Sequence, residues 1–110
     1  MKLSLVIPAH NEEANIEKTV LAFNAELKTG KIDHEILVIN DNSTDHTEEV
    51  LKRLKNEVRE LDYINNLPPS GYGFAVRKGL EKFNGDCVAI VMADMSDSPT
   101  DLVSYYRKIQ

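Results

Sequence analysis

Three short apolar runs in this chain each lead into polar or acidic side chains, and this feature constrains the fold more than any other. The runs cover residues 3–8, 36–39 and 86–92, and they are followed by Asn11, Asp41 and Asp94. In an open sheet of parallel strands, ligands bind beside the carboxyl ends of the strands. The sequence therefore predicts one polar edge of a sheet, at which Asp94 lies where a metal ion or a phosphate group would bind.

Segments with the periodicity of an amphipathic helix separate these runs from one another and from a fourth, weaker run at residues 61–64. Strands that alternate with helices predict an α/β fold, a three-layer α/β/α sandwich around a mainly parallel sheet with right-handed crossovers. The predicted strand order is 3-2-1-4. We expect all 110 residues to form a single domain, because the length is ordinary and no linker or repeat interrupts it.

The expected helices are defined by their caps and by their apolar stripes. Asn11 is expected to cap the first helix, and Ser98 followed by Pro99 is a start signal for the last one. The third helix is expected over residues 73–83. The side chains expected to face the core are Ile16, Val20, Phe23 and Leu27 in the first helix, Val50, Leu51, Leu54 and Val58 in the second, Leu80 and Phe83 in the third, and Leu102, Tyr105, Tyr106 and Ile109 in the last.

Charge and composition disfavour several classes of protein. A formal net charge of −5 argues against a nucleic-acid partner, which needs clustered Lys and Arg, and indicates that a bound diphosphate needs a cation. Cys87 is the single cysteine, so no internal disulfide forms, and its apolar neighbours favour a buried, inert thiol. No apolar run reaches the ~18 residues of a membrane span and no signal-peptide pattern is present, so we expect a cytoplasmic protein.

Two common nucleotide-binding motifs and a zinc site are also disfavoured. The stretch at residues 71–76 superficially suggests a dinucleotide fingerprint, but that motif belongs at the first strand-to-helix turn, which here covers residues 8–12. No phosphate-binding loop with its Gly-Lys-Ser/Thr ending is present. His10, His34 and His46 are too scattered in sequence for zinc.

The three loops in combination resemble those of one known family, although Asp41 or Asp94 alone is as compatible with a simple turn. They read Pro8-Ala9-His10-Asn11-Glu12, Asn40-Asp41-Asn42-Ser43-Thr44-Asp45 and Ala93-Asp94-Met95-Ser96. In this order the chain resembles the nucleotide-diphospho-sugar glycosyltransferases of family 2, most closely their dolichol-phosphate mannosyltransferase-like branch. The resemblance implies the Rossmann-like GT-A fold and a hexosyltransferase that uses a UDP- or GDP-sugar and an acceptor such as a polyprenyl phosphate.

The resemblance also assigns roles to individual residues. The loop after the first strand would contact the base and ribose, with His10 at a place that Tyr usually holds. Asp41 inherits base recognition, and Lys78 would lie near the diphosphate. The full set of nucleotide-binding residues implied in this way is Pro8, Ala9, His10, Glu12, Ile39, Asp41, Lys78 and Ala93.

The metal site that the resemblance implies departs from the family's pattern. Asp94 matches the second acid of the family's Asp-x-Asp motif and would hold Mg²⁺ or Mn²⁺ together with the donor's phosphates. Met92 replaces the first acid, which is expected to weaken the site. Because alternate residues of a strand share a face, Met92 is expected to face the ligand, as Asp94 does. Asp97 is the nearest substitute acid.

The resemblance covers essentially the whole chain, yet family members continue with an acceptor-binding half that supplies the catalytic base. We therefore expect the donor-binding part of a glycosyltransferase, with the base beyond Gln110 and negligible transfer by the 110 residues alone. Two alternatives stay open at this point. One is a nucleotide-binding module of the same fold without catalysis, and the other is a flavodoxin-like structural or regulatory domain. Pairing of exposed sheet edges in a homodimer also stays open.

Overall fold

A computed structural model describes residues 1–109 and contains strands and helices in strict alternation. The strands form one parallel sheet with the order β3-β2-β1-β4. This arrangement confirms the predicted α/β fold and strand order. In chain order the elements are β1 (Leu3–Ala9), α1 (Ile16–Thr29), β2 (His34–Asp41), α2 (Thr47–Glu57), β3 (Leu61–Asn66), α3 (Tyr72–Lys82), β4 (Cys87–Ile90) and α4 (Pro99–Ile109).

The two central strands carry the core, because helices cover both faces of the sheet and every residue of β1 is buried. On one face, Leu5 and Ile7 pack in a cluster with residues of α1, α2 and α4. On the other face, Val6 and Ile39 pack against Ala75 of α3. The layers are therefore arranged as the sequence predicts. None of the helices in residues 1–109 is long and apolar enough to cross a membrane.

The start of the first helix differs from the prediction. Asn11 does not cap it, because Asn11 has a φ of 53° and the helix begins only at Ile16, after a turn. Ser98 does cap α4, since its Oγ accepts the main-chain N–H of Asp101 at 3.3 Å. The predicted inner stripe of α1 is confirmed, as all of its members are fully buried: Ile16, Val20, Phe23 and Leu27.

The inner faces of α3 and α4 are partly wrong in the prediction. Leu80 is 46% exposed, because the close contact of α3 with the sheet is made by its small residues, whereas Phe83 is half-buried and packs against the core as predicted. Tyr106 of α4 is buried and Leu102 packs half-buried against the core, both as expected. Tyr105 and Ile109 are exposed. In α2, the predicted residues Leu51, Leu54 and Val58 are buried and Val50 is half-buried.

Strand β4 is shorter than predicted, although the N–H of Val91 still donates to the main-chain oxygen of Val6 at 2.9 Å. Cys87 lies in this strand and is half-buried rather than fully buried. Burial raises the pKa of the Cys87 thiol, which agrees with the expectation of an inert side chain.

Glu35 joins three elements at the amino ends of the strands. Its Oε2 accepts hydrogen bonds from Ser4 Oγ at 2.5 Å and from the N–H of Asn84 at 2.7 Å. Burial alone would raise the pKa of Glu35, but these hydrogen bonds outweigh it and hold the pKa below its ordinary value. The ionised form of Glu35 therefore stabilises the fold above the carboxyl group's unfolded pKa, and this contribution is lost as the pH falls through the lowered value.

We accordingly predict that Glu35→Gln lowers the free energy of unfolding at neutral pH by about 1 kcal/mol. In this variant, the free energy of unfolding should also fall less steeply as the pH is lowered. Glu81→Gln makes the same change of charge at an exposed site on α3 and is the control. Urea denaturation from pH 3 to pH 7 measures both variants. Equal stability of the two across that range would contradict the assignment.

Candidate functional site

A cleft of about 160 Å³ opens at the carboxyl ends of the strands, where the loops after β1, β2 and β4 meet the first turn of α3. In a sheet of order 3-2-1-4, the connections change direction between β1 and β4, and ligands of open α/β sheets bind at such a switch point. The residues that line the cleft are Pro8, Ala9, His10, Glu12, Asp41, Tyr72, Ala75, Met92, Ala93 and Asp94.

A larger open depression of about 820 Å³ lies at the opposite ends of the strands, beside Lys2 and His34. Its charged lining residues carry both signs, and two of its cations are already paired, Lys28 with Glu60 and Lys55 with Asp62. The smaller cleft is the candidate site because it combines the switch point of the sheet with the predicted polar residues.

The side chain of Asp41 is buried beneath one wall of the cleft and accepts hydrogen bonds from three partners. Its Oδ2 accepts the N–H of Gly71 at 2.7 Å, and its Oδ1 accepts the side-chain amides of Asn66 at 3.0 Å and Asn42 at 3.2 Å. Asp41 thus ties the end of β2 to β3 and to the start of α3. This carboxylate holds Tyr72, the residue after Gly71, at the cleft.

The loops after β1 and β2 are joined by side chains that bond to main-chain amides. Asp45 Oδ1 accepts the N–H of Thr47 at 2.9 Å, and its Oδ2 accepts the N–H of Glu13 at 3.2 Å. Burial opposes ionisation of Asp45, but these bonds outweigh it and lower the pKa of the carboxyl group. Thr47 in turn accepts the N–H of Glu12 at 3.0 Å. The rim that carries His10 and Glu12 is therefore fixed to the neighbouring loop.

Asp94 is exposed at the cleft, and Met92 stands beside it. Hydrogen bonding to Ser96, whose N–H lies 3.0 Å from Asp94 Oδ1, lowers the pKa of Asp94. Met92 is 39% exposed and lines the cleft, whereas Val91 and Ala93 are buried in the core. The side chain of Met92 thus faces the cleft and not the core. Asp97 instead accepts the N–H of Met92 at 2.8 Å.

A metal site built from protein side chains alone is not found in residues 1–109, which contain no suitable group of three His, Cys, Asp or Glu residues. Mg²⁺, however, is commonly held by one or two carboxylates together with substrate phosphates and water. Asp94 offers carboxylate oxygens at the cleft wall, and this chemistry fits an ion that is shared with a bound diphosphate.

Two residues predicted for nucleotide binding lie outside the cleft wall. Ile39 is fully buried in the core between the sheet and α3, and Lys78 is half-buried on α3. Two cleft residues were missed, Tyr72 and Ala75. The available signal was their position after the loop that follows β3, because this loop ends at the same edge of the sheet as the other three.

The chain is similar in sequence to known glycosyltransferases. The family model "Glycosyl transferase family 2" matches residues 4–110. The probable glycosyltransferase YdaM of Bacillus subtilis (strain 168) is 33% identical over 108 residues, which are 96% of this chain and 25% of that protein. The dolichol-phosphate mannosyltransferase of Pyrococcus furiosus is 29% identical over 99 residues, 90% of this chain and 27% of that protein.

Two solved structures share the fold. The mannosyltransferase PcManGT from Pyrobaculum calidifontis, in complex with GDP-Man and Mn²⁺, matches 96% of this chain and 31% of its own with a TM-score of 0.82 and 21% identity. S. aureus TarS 1-349, in complex with UDP-GlcNAc, matches 99% of this chain and 31% of its own with a TM-score of 0.74 and 25% identity. The chain thus spans a quarter to a third of the length of these proteins.

Proposed function

Because this chain belongs to glycosyltransferase family 2, we propose that its cleft binds the nucleotide sugar of a hexosyltransferase reaction. The single observation that carries the proposal is the cleft itself, in which Asp94, His10 and Glu12 come together at the switch point of the sheet. The proposed donor is a UDP- or GDP-hexose, and the proposed acceptor is a polyprenyl phosphate. The complexes of neighbours with GDP-Man and Mn²⁺ and with UDP-GlcNAc support the choice of donor class.

The residues of the cleft have two proposed roles: some contact the nucleoside, and others contact the diphosphate and its metal ion. His10 and Tyr72 present aromatic rings to the nucleoside, and such rings stack on any base. Asp94, on the loop after β4, holds Mg²⁺ or Mn²⁺ beside the diphosphate. When bound, the ion neutralises the charge that develops on the departing nucleoside diphosphate. Because the loops are already fixed, the protein loses less conformational entropy when the donor binds.

The proposal predicts that UDP or GDP binds with a measurable heat when Mn²⁺ is present, and that Asp94→Asn weakens this binding at least tenfold, equivalent to about 1.4 kcal/mol. Asp97→Asn is the matched control, because Asp97 bonds the N–H of Met92 through an oxygen that Asn retains. Calorimetry with and without Mn²⁺ measures both. Absence of heat with either nucleotide would contradict the function, and an Asp94→Asn variant that binds like the parent would contradict the metal site.

A second candidate function is a nucleotide-binding module without catalysis, and Met92 is the observation that favours it. Met92 stands on the cleft where an acid would complete the metal site, so the ion here has one protein carboxylate instead of two. An assay of sugar transfer separates the two candidates, since both bind nucleotide. Failure to bind nucleotide at all would leave a structural or regulatory domain.

The position of Met92 predicts that one substitution changes nucleotide affinity in opposite directions with and without metal. In Met92→Asp, a second carboxylate beside the ion should tighten Mn²⁺-dependent nucleotide binding by roughly tenfold. Without metal, the same carboxylate should weaken binding through repulsion of the diphosphate. Met92→Asn, which adds polarity without charge, is the control in calorimetry. A large fall in melting temperature without tighter binding would show that Met92 packs in the core instead.

A further inference from the structure

The ring nitrogens of His10 have different partners, and the partners distinguish its two neutral tautomers. Nδ1 lies 2.7 Å from the main-chain oxygen of Asp41, and a carbonyl oxygen only accepts, so Nδ1 carries a hydrogen. Nε2 lies 3.4 Å from Nδ2 of Asn11, an amide nitrogen that only donates. A neutral imidazole has one donor and one acceptor, and these contacts fit the form with the hydrogen on Nδ1.

The amide of Asn11 is itself held in one orientation by the neighbouring loop. Its Oδ1 accepts the main-chain N–H groups of Thr44 at 2.7 Å and Asp45 at 3.3 Å. The N–H of Asn11 donates to Ser43 Oγ at 3.0 Å. Rotating the amide by half a turn would place its NH₂ group against two N–H donors, so Nδ2 is directed to His10. The left-handed φ of 53° at Asn11 is one that asparagine tolerates better than most residues.

We propose that Asn11 is a positioning residue that holds His10 as the neutral, Nδ1-protonated tautomer and fixes its ring plane at the rim of the cleft. This inference rests on the proposed function, because the fixed ring face is what a nucleobase would stack on. His10 is exposed, and an exposed ring that is not held would lose rotational freedom on binding. Asn11 removes that cost in advance, because the ring is already held in one plane at the rim of the cleft.

The first test is ¹⁵N NMR of the histidine rings in the whole chain at neutral pH. We expect the nitrogen shifts of His10 to show a hydrogen on Nδ1 alone. Asn11→Asp separates the two roles of Asn11. A carboxylate still accepts from Thr44 and Asp45, but its second oxygen, which only accepts, faces Nε2, so the nitrogen shifts of the His10 ring should change.

The second test is calorimetry with UDP and Mg²⁺. Asn11→Ala should raise the dissociation constant roughly tenfold, the lower part of the range for base stacking. Asn15→Ala is the control, because Asn15 precedes α1 in the same loop and makes no side-chain capping bond. The inference is overturned by a His10 ring that exchanges tautomers as a free ring does, by unchanged shifts in Asn11→Asp, or by equal binding of the two alanine variants. If the parent binds no nucleotide, the proposed function fails while NMR still decides the tautomer.

Discussion

Gly79→Ala is expected to destabilise the protein by about 3 kcal/mol, because α3 lies so close to β1 that the helix has no space for a methyl group there. A Cβ placed on Gly79 would overlap Cγ1 of Val6 and would lie 3.2 Å from its Cγ2. Val6 is completely buried, so it cannot move away without disturbing the core on that face of the sheet. The expected loss therefore exceeds the gain of about 1 kcal/mol that alanine brings to a helix interior.

Three further variants make this expectation specific. Gly73 lies in the same helix, and a methyl group added to it would have no neighbouring atom within 4 Å, so Gly73→Ala is expected to leave stability unchanged or to raise it. Val6→Ala removes the clashing methyl groups, so the double variant should be more stable than the sum of the two single changes indicates. Urea denaturation of the parent and the four variants measures the effect. A Gly79→Ala variant as stable as the parent would contradict the close packing of α3.

The same contact explains why the inner face of α3 was assigned incorrectly from the sequence. A hydrophobic pattern identifies large apolar residues, and it therefore selected Leu80. The helix instead approaches the sheet through Ala75 and Gly79, and such an approach depends on what the helix meets across the sheet. The stripe of α1 was predicted correctly because its large residues and its inner face coincide.

In the site as well, features that depend on neighbouring residues were predicted correctly, whereas features that depend on contacts between distant residues were not. The strand ends that carry His10, Asp41 and Asp94 were predictable, because each apolar run and its polar end are contiguous in sequence. Asn11 was misread as a helix cap since its true partners, Thr44 and Asp45, are more than thirty residues away. The cleft residues Tyr72 and Ala75 were missed for the same reason, because the start of α3 is held at the cleft by the bond from Gly71 to Asp41, thirty residues earlier in the chain.

Asp41 accepts two of these bonds from residues that are distant in sequence, Asn66 and Gly71. Asp41→Ala is therefore expected to lower the free energy of unfolding by about 3 kcal/mol. The change leaves the N–H of Gly71 and the buried side-chain amide of Asn66 without their acceptor. Asp33→Ala is the control, because Asp33 is an exposed acid at the other end of the sheet and its loss should change stability by less than about 0.5 kcal/mol.

Nucleotide binding should weaken in Asp41→Ala both with and without metal, because the effect passes through the position of the α3 start and not through the ion. Amide exchange distinguishes this local effect from general destabilisation. The N–H of Gly71 should lose more protection than that of Gly85, which is held by Ser4 Oγ at the opposite end of the strands. Equal loss at both glycines would mean that Asp41 stabilises the whole fold without placing the loop. Binding that weakens only when Mn²⁺ is present would assign Asp41 to the metal site instead.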